Sequence, residues 1–343
     1  MAGIRERGRL IRDYILKHVD SNSQNIAQET ASHFGISRQA VNTHISRLVR
    51  EGLLTARGAT RNRRYSLAIL REELFEVPLT DETAEHIVWQ KEVEPLLSDI
   101  PKTARDIWHY GFTEMLNNAI DHSSGTRVMI EMKRTVRAVN VMLSDDGEGI
   151  FRKIQKALAL EDERHAVLEL AKGKFTTDPD HHTGEGIFFT SRMFDKFTLL
   201  AGNVYFSHKS PGNEDWILEN RDQRSGTAAF LELYNDTERT TRDIFDQFTV
   251  DSDYGFSKTI VPVDLVQYGD ASLISRSQAK RLLTRFDRFR TVILDFKGVE
   301  QVGQGFADEV FRVFTRANPT VHLVPINENI QVHTMIRRAM STT

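Results

Sequence analysis

Four short motifs stand in one order along the middle of this chain, and that order constrains its fold more than any other feature. "EMLNN", residues 114 to 118, lies in a run whose spacing predicts a helix ending near Gly125. "TRVMIEMKRTVRAVNVMLSDDGEGI" gives two apolar-alternating segments that predict adjacent strands, the second reaching Asp145 ahead of a turn with Gly147 and Gly149. "HHTGEGIFFTSRMFDKF" sets Gly184 and Gly186 before an amphipathic helix, and "SGTAAFLELY" sets Gly226 and Thr227 at the head of a strand. A glycine pair alone occurs by chance. The ordered set asks which ligand needs Glu114 and Asn118, four residues apart and so on one helical face.

This order resembles the GHKL superfamily of ATP-binding domains, found in gyrase, mismatch-repair proteins, Hsp-type chaperones and histidine kinases, over about residues 85 to 235. "EMLNN" resembles the N box, and "DDGEG", "GEGI" and "GT" resemble the three glycine boxes. The resemblance implies a Bergerat-type α/β sandwich with a mixed sheet that binds ATP and Mg²⁺. It makes the Asn118 amide oxygen a magnesium ligand, in a shell otherwise of phosphate and water oxygens. Glu114 becomes the catalytic residue that orients and deprotonates the attacking water. Asp145 accepts a hydrogen bond from the adenine amino group, which selects ATP over GTP. Gly147 and Gly149 bring backbone close to base and ribose at positive φ, Gly184 and Gly186 lead into a phosphate-favouring helix N-terminus, and Thr227 completes the ATP-binding set. Residues 151 to 183 correspond to the superfamily's lid, where Lys172 and Lys174 either reach phosphates or stay solvated; Lys174 is carried as an ATP-binding residue.

Binding or hydrolysis is expected over phosphoryl transfer. Asp121 stands where histidine-kinase N boxes commonly have Lys or Arg, and His109, in "DIWHYGF", has no phosphoacceptor sequence around it. His122, His181 and His182 show no metal-ligand spacing and are expected to be solvated or pocket-lining.

Charge divides the chain unevenly. Residues 1 to 71 hold 13 Lys or Arg against 5 Asp or Glu, while the rest holds 32 against 43. A basic head on an acidic body suggests that the head meets a polyanion. Within it, "NIAQETASHFGISRQAVNTHISRLVREGLL" predicts two helices around a tight turn, with Ser37 placed to cap the second. The exposed face of that second helix holds Arg38, Gln39, Asn42, Thr43 and Arg47, and a basic hairpin follows with Arg61, Arg63 and Arg64. Over about residues 5 to 70 this resembles the winged helix-turn-helix domains of bacterial regulators. The resemblance implies double-stranded DNA as partner, bound by Ser37 and the residues just named; the alternative is a protein-docking or dimerising module.

Beyond residue 245, strand and helix patterns alternate through "FSKTIVPVDLV", "SRSQAKRLLTRFDRF", "TVILDF", "GFADEVFRVFTRA", "TVHLVPIN" and "ENIQVHTMIRRAM". Residues 255 to 341 resemble STAS-like domains. Where STAS partners of serine kinases carry a phosphorylated hydroxyl, this chain has "VGQGF", residues 302 to 306, so a fused interaction or dimerisation domain is expected instead.

A chain of 343 residues should hold two or three domains. The expected fold is α/β multidomain, divided into a winged helix-turn-helix at 1–72, a GHKL ATP-binding domain at 73–240 and a STAS-like domain at 241–343. With no cysteine, no long apolar run and no secretion signal, a cytoplasmic protein without membrane contact is expected. The expected function is an ATP-responsive, DNA-binding transcriptional regulator with weak Mg-dependent ATPase activity, a homodimer with a protein partner through its STAS-like part. The alternative is a protein kinase of the anti-sigma or histidine-kinase type that acts on a separate partner, its head serving for docking.

Overall fold

A computed structural model of the chain describes residues 2–59, 62–175, 184–210, 214–249, 255–266 and 273–341. The chain forms two compact units, one of Met1–Phe75, Ile130–Met142 and Glu232–Thr237, the other of Glu76–Met129, Leu143–Leu231 and Glu238–Thr343.

The first unit opens with helices α1 (Ala2–His18), α2 (Ile26–Phe34) and α3 (Arg38–Arg50). Gly35, left-handed at φ +62°, ends α2, and the Ser37 hydroxyl accepts the Ala40 N–H at 3.2 Å to cap α3. The apolar stripe Val41, Ile45 and Leu48 packs with Ile15, Val19 and Ile26 in one buried core, which turns the polar face of α3 outward. Strands β1 (Leu54–Arg57) and β2 (Arg64–Leu67) then form an antiparallel hairpin, Leu54 opposite Leu67 and Arg57 opposite Arg64.

After β3 (Arg71–Pro78) comes a helical run of mixed type. It comprises α4 (Glu85–Val88), a π turn at Trp89–Val93 and a 3₁₀ turn at Glu94–Leu97 that carries Pro95 near its start. Proline has no N–H to continue an α-helix, so the run changes type there. Helix α5 (Lys102–His122) follows, then β4 (Arg127–Arg134), β5 (Ala138–Asp145), α6 (Ile150–Ala157), α7 (Glu163–Lys172), α8 (Gly186–Met193), β6 (Lys196–Lys209) and β7 (Glu214–Tyr234). The five strands form a sheet of order β3-β4-β5-β7-β6. Gly226 and Thr227 lie inside β7, not at a strand head as the sequence suggests; Gly226, at φ +77°, interrupts the extended backbone and imitates a beginning.

In α5 a glycine sits mid-helix for a packing reason. A Cβ at Gly111 would overlap the Phe194 ring, so the missing side chain lets α5 lie close to the end of α8. Ile107, Trp108, Phe112, Met115 and Leu116 are buried along α5.

After α9 (Thr241–Gln247) come β8 (Lys258–Pro262), α10 (Arg276–Leu283), β9 (Thr291–Asp295), α11 (Gln304–Asp308), a π turn at Glu309–Phe314, α12 (Thr315–Ala317), β10 (His322–Ile326) and α13 (Ile330–Ser341). Strands β8, β9 and β10 are parallel in the order β10-β9-β8 with helices between them, the arrangement that parallel pairing requires. Among the described residues no helix is long and apolar enough to cross a membrane.

Candidate functional site

One cavity of about 340 Å³ lies in the second unit, and α5 supplies a wall of it. Tyr110, Glu114, Asn118 and His122, each four residues after the last, all line that wall. Sequence reasoning singled out Glu114 and Asn118; the same spacing rule carried one turn each way reaches Tyr110 and His122. Burial raises the Tyr110 phenol well above its ordinary range, with Glu114 and Glu185 adding to the shift, so the hydroxyl stays protonated and able to donate. Asn118 Nδ2 donates to the Glu114 carbonyl at 2.7 Å, which leaves Oδ1 as the atom for a ligand.

Asp145 closes another side from the end of β5. Its Oδ1 accepts N–H groups from Gly147 at 2.9 Å and Thr227 at 3.1 Å, and burial raises its pKa against those bonds. The neighbouring Asp146 has a different task. It accepts the Thr126 hydroxyl and N–H, both at 2.7 Å, and the Arg127 N–H at 3.1 Å; the Thr126 hydroxyl foremost holds its carboxyl down at about 2. Of the acidic pair in "DDGEG", one residue therefore faces the cavity and the other fastens the turn.

The glycines work in two ways. Gly149 (φ +94°) and Gly184 (φ +71°) adopt positive φ as the sequence suggests for the first of them. Gly147 does not. It is needed because a Cβ would strike the Ser123 carbonyl, and Gly186 because a Cβ would strike the Glu114 carboxylate. Gly184 and Gly186 line the cavity, whereas Gly147 and Gly149 line another one of about 320 Å³ with Arg152, Gly202 and Asn203. Thr227 lines the first cavity, and its Oγ1 accepts the Ile150 N–H at 2.9 Å at the start of α6. Lys153, also a lining residue, donates to the His122 carbonyl at 2.6 Å; nothing in the sequence marks it out from other lysines.

The structure turns Lys172 and Lys174 away from the phosphate-reaching role that the sequence suggests. Lys172 is wholly buried and paired with Glu169 at 2.6 Å. Lys174 does not line the cavity; its Nζ donates to the Arg288 carbonyl at 3.0 Å and lies 5.0 Å from the Phe289 ring centroid. His181 and His182 lie outside the described residues.

In the first unit, Arg38, Gln39, Asn42, Thr43 and Arg47 share the exposed side of α3, and Arg63 and Arg64 are exposed on the hairpin. Some of them are already engaged. Arg47 pairs with Glu51 at 2.8 Å, Thr43 Oγ1 donates to the Gln39 carbonyl at 3.2 Å, and Ser37 serves as the cap of α3. Arg61 lies outside the described residues.

The family model of a STAS-like domain of unknown function, DUF4325, matches residues 278–333, within the C-terminal parallel layer. Comparison with curated proteins finds no match. The chain is thus a mixed α/β multidomain protein with a STAS-like domain at its C-terminal end.

Proposed function

We propose that the protein is an ATP-binding, DNA-binding regulator in which a GHKL-type site and a winged helix share a chain with the STAS-like domain. The observation that carries the ATP reading is the gathering of Glu114, Asn118, Asp145, Gly184, Gly186 and Thr227, drawn from four separate stretches of sequence, around one cavity. Asp145, with Oδ1 committed to two N–H groups, presents Oδ2 as an acceptor for an exocyclic amine such as that of adenine. The start of α8, at Gly186, suits phosphate oxygens. Among the described residues no group of three His, Asp or Glu side chains stands ready to hold a metal, so Asn118 Oδ1 fits a magnesium ion whose other ligands come with the phosphates. That ion supplies positive charge against the phosphate oxygens. Glu114, its carboxylate beside the Gly186 backbone, accepts the proton of the attacking water.

The DNA reading rests on the basic composition of residues 1 to 71 and on an outward-facing α3 followed by a hairpin with exposed Arg63 and Arg64. Calorimetry with ATP, GTP and each with Mg²⁺ tests the first part. Affinity for ATP that depends on Mg²⁺ and exceeds that for GTP is expected, and equal affinity for both nucleotides would remove Asp145 from its role. Labelled γ-phosphate released as free phosphate supports hydrolysis, whereas label on protein supports a kinase.

A further inference from the structure

Leu170 and Phe175 wall the cavity, and the chain between them is held by the C-terminal layer. Lys172 Nζ, besides its bond to Glu169, donates to the carbonyls of Arg281 at 3.2 Å and Thr284 at 3.0 Å. Thr259 of β8 donates its hydroxyl to the Lys172 carbonyl at 2.8 Å. Arg285 is the centre of the arrangement. Its guanidinium donates to Glu169 Oε2 at 2.9 Å, to the Gly173 carbonyl at 3.0 Å and to the Lys174 carbonyl. Arg288 adds a bond to the same Lys174 carbonyl at 3.1 Å. Arg285 also sits at φ +64°, an uncommon conformation for a non-glycine residue that persists where its surroundings over-determine it.

The path to the cavity is short. Phe175 N–H, next to the two clamped carbonyls, donates to the Gly184 carbonyl at 3.1 Å, and Gly184 leads directly to Gly186 at the start of α8. Arg192 of α8 closes the circuit by donating to the Ala171 carbonyl at 3.3 Å, its guanidinium 3.6 Å from the Phe188 ring centroid. Side chains of the STAS-like domain therefore fix the backbone on which the cavity's α7–α8 wall depends.

We propose that Arg285 is a positioning residue through which the STAS-like domain sets the nucleotide affinity of the cavity. A partner or modification that draws on the α10–β9 connection would weaken nucleotide binding, and bound nucleotide would oppose it by the same factor, since linkage is reciprocal. The inference rests on the reading of the cavity as a nucleotide site.

The test uses the full-length protein with Mg-ADP and a non-hydrolysable ATP analogue as probes. It compares Arg285→Ala, Arg285→Lys, Arg288→Ala and, as a control on exposed α12, Arg316→Ala. Hydrogen exchange of residues 169 to 175 is followed without nucleotide, and Kd and dissociation rate with it. Arg285→Ala should speed exchange and weaken binding at least about tenfold; Arg285→Lys, which keeps the charge and loses the fork, should recover part of both. Arg288→Ala should act in the same direction by about two- to threefold and decides the matter should Arg285→Ala fail to fold, while Arg316→Ala should change neither. Unchanged exchange and affinity in a folded Arg285 variant would overturn the proposal. A wild type that binds neither nucleotide overturns the ATP reading instead, and exchange in the nucleotide-free protein then still decides whether Arg285 positions the wall.

Discussion

Thr227 donates its backbone N–H to Asp145 Oδ1 at 3.1 Å, joining the end of β5 to a residue inside β7 that lies 82 positions later in the chain. The bond shares that oxygen with the Gly147 N–H, and under the proposed nucleotide reading Oδ2 is the atom that meets a ligand. Asp145→Asn can keep both bonds through its own carbonyl oxygen but turns the ligand-facing atom into a donor. Two donors then face each other at an adenine amino group. We expect ATP affinity to fall by about 1–3 kcal/mol, the cost of a donor left unpaired, with little change in melting temperature. Calorimetry beside a thermal melt checks it, and an unchanged Kd for ATP would sink the assignment.

A second relationship needs no ligand to test. A Cβ at Gly186 would overlap the Glu114 carboxylate, so Gly186→Ala must displace α8 or the glutamate, at a cost of about 1–3 kcal/mol. In a Glu114→Ala background the obstacle is gone, and the same substitution should cost less than half as much. Urea unfolding of the four proteins in this cycle gives the coupling; additive costs would show that the two residues do not meet.

How much of this the sequence carries depends on the range of each interaction. The face formed by Glu114 and Asn118 follows from helical spacing alone, and the cap at Ser37 and the break at Gly35 are equally local. Other features are set from far away. Gly147 reads as a positive-φ glycine, yet it is the Ser123 carbonyl that excludes a side chain there. Lys172 reads as a solvated or phosphate-reaching lysine because nothing near it in "ERHAVLELAK" announces the Arg281 and Thr284 carbonyls that receive its ammonium in the interior. Gly226 imitates a strand start because a positive-φ glycine inside a strand and one ahead of it share one local signal.

That burial gives Lys172 a pH signature. Removal from water lowers its pKa to about 8, although Glu169 opposes the shift and Arg285 adds to it. The unfolded value is about 10.4, so between the two the unfolded chain holds a proton that the folded chain lacks, and this group makes stability rise with pH across that window. Below about pH 8 the ammonium is charged in both states and the contribution is flat. Lys172→Met should be less stable than wild type, with a deficit that widens from pH 8 to pH 10 by up to about 3 kcal/mol. Denaturant unfolding of both proteins across that range measures the difference; a deficit independent of pH would mean that Lys172 titrates as it does in the unfolded chain.

On the head, Arg63 and Arg64 are exposed on the hairpin, and Asn42 is exposed on α3. Under the DNA reading, removing either arginine weakens binding to all duplexes alike and lowers the slope of log K against log salt by about 0.9 for each phosphate no longer neutralised. Asn42→Ala should change the preference between duplexes and leave that slope in place. Titrations at three salt concentrations with two unrelated duplexes separate the effects. Identical slopes for wild type and an Arg63, Arg64 double variant would favour a docking role for the head.

Glu114 and Asn118 share a face and a hydrogen bond but should fail differently. A carboxylate that accepts a proton from water acts in the transition state and adds little to ground-state affinity, so Glu114→Ala should keep Mg-ATP binding within about threefold and lose nearly all hydrolysis, roughly 10²–10⁴-fold. An amide oxygen that binds magnesium acts in the ground state, so Asn118→Ala should lose the Mg²⁺-dependent part of ATP affinity. Because Asn118 Nδ2 also donates to the Glu114 carbonyl at 2.7 Å, Asn118→Asp is the more discriminating variant. It keeps an oxygen ligand and adds charge, and should favour Mg²⁺ in the absence of nucleotide while placing a second carboxylate near the phosphates. Calorimetry with and without Mg²⁺, paired with a free-phosphate assay, reads all three variants. Equal hydrolysis in wild type and Glu114→Ala would take the proton-accepting role from Glu114, and Mg²⁺-dependent binding that survives in Asn118→Ala would move the metal elsewhere in the cavity.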